Sequence, residues 1–370
     1  MILNNSKKIV IKIGSSLLIN KNKINTAWVN KLADDVAKLA KRKIQIIIVT
    51  SGAIALGCKY LKISRKNLKL KEFQAVSAIG QIELINLFKK ALFKKKLKVG
   101  QILLTLEDTE DRRRALNARD TIENIIKIKG IPIVNENDTT ATSEIRYGDN
   151  DRLAARVAQI LNADTLIMLS DIDGLYTKDP RKFKDAKHIK EVKKITNQII
   201  KSATKSISDY GSGGMITKID AAKICMNSGC KMILAQGSIN NPISKLEKGK
   251  TCTIFIPQIN NYNAKKKWIL SSIKSKGSII ADHGAIKAIK SGKSLLPVGI
   301  SDVNGKFNRG DTVLILNKSK IKIGTGVTSY SSDEILKIKG SKSENIKNIL
   351  GYSSRGEAIH IDNMVLNKNE

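Results

Sequence analysis

Ile131-Pro-Ile-Val-Asn-Glu-Asn-Asp138, running on through Thr139-Thr-Ala-Thr-Ser-Glu-Ile-Arg-Tyr-Gly-Asp-Asn-Asp151, sets a concentration of acid against an otherwise strongly basic chain. A short apolar strand, Ile131–Val134, opens directly into acid and amide. Asn135 to Asp151 holds five carboxylates (Glu136, Asp138, Glu144, Asp149, Asp151) and three asparagines, with only Arg146 to offset them. A helical pattern follows near Arg152. Acidic and amide side chains at the carboxyl end of a buried strand suit a ligand with ammonium, hydroxyl or metal groups. Standing alone, the segment would read equally well as a solvated, turn-rich loop.

It does not stand alone, because the same grammar recurs along the chain. Lys8–Ile13 reads as a strand ending in Gly14-Ser-Ser16, and Ile44–Val49 as one ending in Thr50-Ser-Gly-Ala53. Gln101–Thr105 is a further strand. Thr165–Leu169 ends in Ser170-Asp-Ile-Asp-Gly-Leu-Tyr176, and Lys231–Ala235 in Gly237-Ser238. Helical spacing fills the intervals. Asn25 or Thr26 caps a helix to about Arg42, buried through Trp28, Val29, Leu32, Val36, Leu39 and Ala40. Others run near Gln74–Lys94 and Ala115–Lys129, through Leu153, Val157, Ile160 and Leu161, and after Gly211-Ser-Gly-Gly-Met-Ile-Thr-Lys218. Strands alternating with helices predict an α/β fold with a parallel sheet. Its ligand would lie at the carboxyl ends of the strands, where the turns at 14, 51, 135, 170 and 213 converge. From about Lys274, short β-like pieces alternate with Gly, Asn and Asp turns. The expectation is therefore a first domain over 1–260 and a small, mainly β domain over 275–355.

Composition bounds the function without assigning it. Hydrophobic content of 41% suits a soluble globular chain, and no apolar run approaches the roughly 18 to 20 residues of a membrane span. The polar start leads straight into a strand, so the expectation is no signal peptide, no membrane and a cytoplasmic location. The formal charge of +33 raises the possibility of nucleic acid. However, the lysines are spread over the whole chain, and aromatics make up only 4%. Cys58, Cys225, Cys230 and Cys252 form no Cys-x-x-Cys pair, which argues against a zinc site or a disulfide framework.

The turns fit one chemistry in particular, transfer of the ATP γ-phosphoryl group to a carboxylate. Both reactants are anions, so the reaction needs cations that screen them from each other. Lys12 and Lys218 each adjoin a Gly/Ser turn of the kind that presents N–H groups to phosphate, Gly14-Ser-Ser16 in the case of Lys12. A carboxylate acceptor is already ionised at neutral pH and needs no general base, in keeping with loops that lack His and Cys. Asp138 and Asn150 are candidates to hold an α-ammonium, and Ser51 an α-carboxylate. Asp151 either orients the two lysines or caps the following helix. Asp149 or Asp171 is a candidate to act through Mg²⁺, and the metal ligands stay open.

Several ordered blocks carry a family resemblance: Ile11-Lys-Ile-Gly-Ser-Ser16, Val49-Thr-Ser-Gly-Ala-Ile-Ala55, Asn117-Ala-Arg-Asp120, Asn135-Glu-Asn-Asp138, Gly148-Asp-Asn-Asp151, Gly174-Leu-Tyr176 with Asp179-Pro-Arg181, and Gly211–Lys218. Over essentially its whole length the chain resembles the glutamate 5-kinases of the amino acid kinase family. Its C-terminal part resembles a PUA domain, through Ser294-Leu-Leu-Pro-Val-Gly299, Phe307-Asn-Arg-Gly310 and Gly326-Val-Thr-Ser-Tyr-Ser-Ser332. The resemblance implies an open, mostly parallel sheet between helices, with ATP, Mg²⁺ and L-glutamate as ligands, and γ-glutamyl phosphate as the product of the first step of proline biosynthesis. It implies that Lys12 and Lys218 contact the phosphates. Ser51, Asp138 and Asn150 would bind glutamate with Asn135 beside them. Gly14, Ser170, Asp171, Ser212, Gly213, Gly214, Met215, Ile216, Thr217 and Lys218 would surround the nucleotide. Homo-oligomers, feedback inhibition by proline and RNA binding through the PUA domain are further implications. No reductase domain follows, so the fused bifunctional enzyme is not expected. Rival readings are an amino acid kinase of other specificity, such as one for aspartate or UMP, and an RNA-binding PUA protein with a kinase-like domain.

Overall fold

A computed structural model describes residues 2–20, 23–65, 68–140, 149–204, 214–258, 275–352 and 356–367. The chain divides into two compact units, Met1–Asn261 and Tyr262–Glu370. In the first unit the strands are β1 (Lys8–Ile13), β2 (Ile19–Asn20), β3 (Lys23–Ile24), β4 (Gln45–Thr50), β5 (Lys98–Leu104), β6 (Gly130–Glu136), β7 (Thr165–Ser170), β8 (Leu175–Tyr176), β9 (His188–Ile189), β10 (Glu191–Val192), β11 (Lys231–Gln236) and β12 (Cys252–Phe255). Among the described residues, eight of them form one sheet in the order β10-β12-β11-β7-β1-β4-β6-β5. From β5 to β11 every neighbour is parallel, while β12 runs antiparallel to β11 and pairs with β10. That antiparallel edge was not expected. Its strands, of two and four residues, are too short to show a period.

Alternation along β1 determines what each side chain meets. Ile9, Ile11 and Ile13 join one core layer with Ile46, Ile48, Ile133, Ile167 and Ile233, under the helices Thr26–Lys41 and Leu70–Phe93. Val10 joins the opposite layer with Ile47, Val49, Leu166 and Met168, under the helices Arg112–Lys127, Asp149–Ile160 and Met215–Asn227. Because the period is two, Lys12 falls on the Val10 face. Its register partners, Val49 and Met168, belong to that second layer. A cation is thereby sent from a buried strand toward the two helices that carry Asp151 and Lys218.

Topology then opens a crevice. After β1 the chain builds outward through β4, β5 and β6 on one side, then returns to place β7 on the other side of β1. Strand connections diverging from a central strand leave a gap at the carboxyl ends. Register aligns those ends: Ile13 lies opposite Thr50 and Leu169, and Ser170 opposite Gln236.

The second unit has its own sheet, β14-β13-β15-β16-β17, made of β13 (Ser278–Ala281), β14 (Ile300–Asn304), β15 (Thr312–Leu316), β16 (Lys322–Val327) and β17 (Met364–Leu366). The β13–β15 pair is parallel and the rest antiparallel. Ile279, Val313, Ile315, Tyr330 and Ile359 fill its core. The strand β17 pairs with β16 and lies beyond the expected end at 355. Among the described residues, no helix is long and apolar enough to cross a membrane.

One contact fixes a wall of the crevice. The helix Leu70–Phe93 lies so close to the helix Ala53–Leu61 that a Cβ at Gly80 would stand 1.8 Å from the Ala53 carbonyl oxygen. At Gly57 a Cβ would stand 2.1 Å from the Val76 oxygen. Backbone cannot yield as a flexible side chain does, so Gly80→Ala should lower stability by about 2 to 3 kcal/mol in a denaturant titration. An unchanged midpoint would mean that the helices separate freely.

Candidate active site

Asp151 lies in the first turn of the helix Asp149–Ile160 and is fully buried. It does more than cap. Lys12 Nζ pairs with Oδ1, while Lys218 Nζ lies 3.1 Å from Oδ2. Thr217 Oγ donates to that second oxygen at 2.9 Å. Two lysine side chains thus share one buried carboxylate. Burial alone would raise the Asp151 pKa, but the charges of Lys12 and Lys218, with hydrogen bonds from Lys12 and Thr217, hold it down at about 2. Burial pulls the Lys12 pKa below the ordinary lysine value; Asp151 opposes that shift and Lys218 adds to it.

Beside Lys218 lies a cleft lined by Asp171, Ile172, Leu175, Tyr176, Arg181, Ala203, Gly214 and Met215. The helix Met215–Asn227 begins at Gly214 with no side-chain cap, so Met215, Ile216 and Thr217 occupy a first turn whose N–H groups are open to an anion. Among the described residues, a Cβ on Gly214 would meet nothing within 4 Å, which leaves room for one to approach. Ser170 Oγ donates to Asp171 Oδ1 at 2.9 Å at the end of β7. Gly14, at the end of β1, starts the short helix Ser15–Leu18. Ser212 and Gly213 lie outside the described residues. Among the described residues, no three Asp, Glu, His or Cys side chains cluster as a metal site. Mg²⁺ commonly takes one or two carboxylates together with substrate phosphates. Asp171, on the cleft, fits that use as a single partner.

On the far side of β1, a polar network occupies the ends of β4 and β6. Asn150 Nδ2 donates to the Thr50 carbonyl at 3.2 Å and to Asn135 Oδ1 at 3.1 Å. Asn135 Nδ2 donates to Gln81 Oε1 at 3.1 Å, and Gln81 Nε2 to the Glu136 carbonyl at 3.1 Å. Asp138, buried, accepts from Ser77 Oγ. Burial raises the Asp138 pKa, and the Ser77 hydrogen bond only partly opposes this. Ser51 is anchored by its N–H and its Oγ, each 3.3 Å from the Ile13 carbonyl. Gly52 behind it has φ of +111° and starts the next helix.

The residues singled out from sequence therefore fall into two groups on either side of β1, with Lys12 between them. The Asp149 side chain lies outside the described residues. Ser77 and Gln81 went unnoticed at the sequence level. They sit one turn apart in a helix that reads as amphipathic packing, and the available signal was two buried polar residues flanking a glycine at the close helix contact.

The Asp151 pKa yields a pH prediction. Its folded value, about 2, lies below the ordinary carboxylate value, so the stability it contributes is present above pH ~4 and is lost as pH falls toward 2. The contribution is on the order of 2 kcal/mol. Asp151→Asn should flatten that part of the acid limb in chemical denaturation. It should also cost stability at pH 7, since two buried ammonium groups lose their counterion. An acid limb identical to the parent's would show that the carboxylate is not held by the lysines.

Residues 7–236 match the amino acid kinase family, and residues 277–350 match the PUA domain. A glutamate 5-kinase of Pelagibacter ubique is 56% identical over 366 residues, covering 99% of this chain and 100% of that one. Glutamate 5-kinases of Paramagnetospirillum magneticum and Bartonella henselae are 47% and 48% identical, over 98% and 97% of this chain and 98% and 95% of theirs. With a mostly parallel sheet between helices, a separate PUA sheet and relatives matched from end to end, the chain belongs to the glutamate 5-kinases of the amino acid kinase family.

Proposed function

We propose that this protein transfers the γ-phosphoryl group of ATP to the side-chain carboxylate of L-glutamate. The product is L-glutamyl 5-phosphate, made in the first step of proline biosynthesis. The observation that carries the mechanism is the buried Lys12–Asp151–Lys218 cluster, at the point where strand connections diverge.

Two unit charges 4 Å apart repel by roughly 4 kcal/mol at an intermediate dielectric. Lys12, on the central strand, stands between the nucleotide cleft and the amide network. Lys218 stands on the nucleotide side. Their ammonium groups offset the repulsion between carboxylate and phosphoryl oxygens and follow the charge in the transition state. Asp151 fixes both and takes no proton, since it stays ionised at neutral pH. The open first turn at Gly214–Thr217 receives phosphate, and Gly14 lets backbone approach it. Ser170 lines the same end of the sheet, and Asp171 offers one carboxylate to Mg²⁺, which supplies further charge neutralisation when bound. On the acceptor side, Asp138 and Asn150 receive the α-ammonium, Ser51 receives the α-carboxylate and Asn135 supports Asn150. The γ-carboxylate arrives ionised, with an ordinary pKa near 4.3, so no base is required. A cytoplasmic location, homo-oligomers, inhibition by proline and RNA contact through the PUA unit enter the proposal through the family resemblance.

The direct test traps the acyl phosphate with hydroxylamine. Hydroxamate should form from L-glutamate with ATP; formation from aspartate alone, or ADP release only with UMP, would overturn the specificity. Lys12→Met and Lys218→Met should each lower kcat by about 10³. Full turnover by either would remove the screening role. Asp138→Asn should raise the KM for glutamate at least about tenfold while leaving the melting temperature equal or higher, because a buried charge that meets only the neutral Ser77 hydroxyl among the described residues has gone. In the parent, the glutamate KM should climb as pH falls through the raised Asp138 pKa, since the protonated form no longer attracts an ammonium. The Asn variant should lack that limb.

A further inference from the structure

The direction of each hydrogen bond in the amide network is fixed from its ends. The carbonyl oxygens of Glu136 and Thr50 can only accept. Gln81 must therefore present Nε2 to Glu136 and turn Oε1 back into the network. That oxygen takes Asn135 Nδ2, which leaves Asn135 Oδ1 to accept from Asn150 Nδ2. Asn150 is held the same way by the Thr50 carbonyl. The result is that Asn150 Oδ1 stands buried with no hydrogen-bond partner among the described residues. An acceptor left over in this way calls for an N–H donor. Asp138 is the second buried acceptor of the same region, and its donor, Ser77, lies one helical turn from Gln81.

We infer that Gln81 is a positioning residue that sets the acceptor polarity of the glutamate pocket, and so makes it select for an α-ammonium group. This rests on the reading of the pocket given above. Gln81 reaches the pocket through Asn135, whose Nδ2 donates to its Oε1. It acts through Asn135, which without an outside acceptor for its Nδ2 is free to turn over and present nitrogen to Asn150. A pocket whose acceptors are fixed rejects a ligand that brings no donor, because the acceptors then stay buried and unpaired. Glutarate, which is glutamate without the ammonium, is the probe.

The experiment compares kcat/KM for L-glutamate and glutarate, by ADP release, in the parent and in Gln81→Met and Gln81→Glu. The parent should prefer glutamate by at least about 10³. In Gln81→Met the glutamate KM should rise at least about tenfold, with the KM for ATP unmoved, so that the preference shrinks. Gln81→Glu, held neutral by burial, keeps an O–H for the Glu136 carbonyl and an oxygen for Asn135, and should hold the preference within about threefold of the parent. A folded Gln81→Met enzyme with undiminished preference would overturn the inference. If the methionine variant does not fold, loss of the preference in a folded Gln81→Glu enzyme overturns it and retention supports it. A parent that phosphorylates neither acid, or favours glutarate, would instead sink the reading of the pocket itself.

Discussion

Asp151 holding two ammonium groups inside the protein is the constraint around which the first unit is arranged. Two lysines cannot be buried side by side without a counterion, since each pays desolvation and repels the other. Here one carboxylate meets both of them. Meeting this demand takes three pieces of chain far apart in sequence: a strand that turns position 12 to the correct face, and the first turns of two helices on that face. The parallel sheet supplies all three at one level, because the carboxyl ends of neighbouring strands lie in register.

The same geometry divides labour across the central strand. On the side of the Gly214 cleft the donors are lysine ammonium groups and the first turn after Gly214, with Asp171 as an acceptor on the cleft. On the side of the amide network the groups are mostly acceptors, in Asp138 and Asn150 Oδ1. An amino acid substrate brings an ammonium at one end and a carboxylate at the other, so a pocket of acceptors leading to a pair of cations fits its polarity. Thr50 and Ser51 sit where the two regions meet, and their backbone is tied to both Asn150 and Ile13.

Much of this was legible from residue patterns. Continuous apolar runs marked the buried parallel strands, and Gly, Ser and Asp turns marked their functional ends, because each follows from local chemistry. Lys12, Asp151 and Lys218 stood out as charge next to such turns. Partnerships were legible only in part. The sequence offers Asp151 as the residue that orients both lysines, but nothing local says that Thr217 joins it. The edge formed by β10 and β12, with β12 antiparallel to β11, escaped for want of length. The strand β17 escaped because its partner, β16, is some forty residues earlier in sequence.

Ser77 and Gln81 escaped for a more instructive reason. In a long helix, a buried serine or glutamine looks like tolerance within a packed face, and only the tertiary contact gives it a task. Here that contact is the glycine-mediated approach of the two helices, which brings a polar pair of one helix to the ends of β4 and β6. Glycine at positions 57 and 80 is therefore part of the site in a physical sense, although neither residue bears a functional group. A side chain there would push the helix outward, and a hydrogen bond does not survive such a displacement, whereas apolar packing can readjust. The polarity of the proposed glutamate pocket thus depends on backbone contact between two helices as well as on the residues of the amide network.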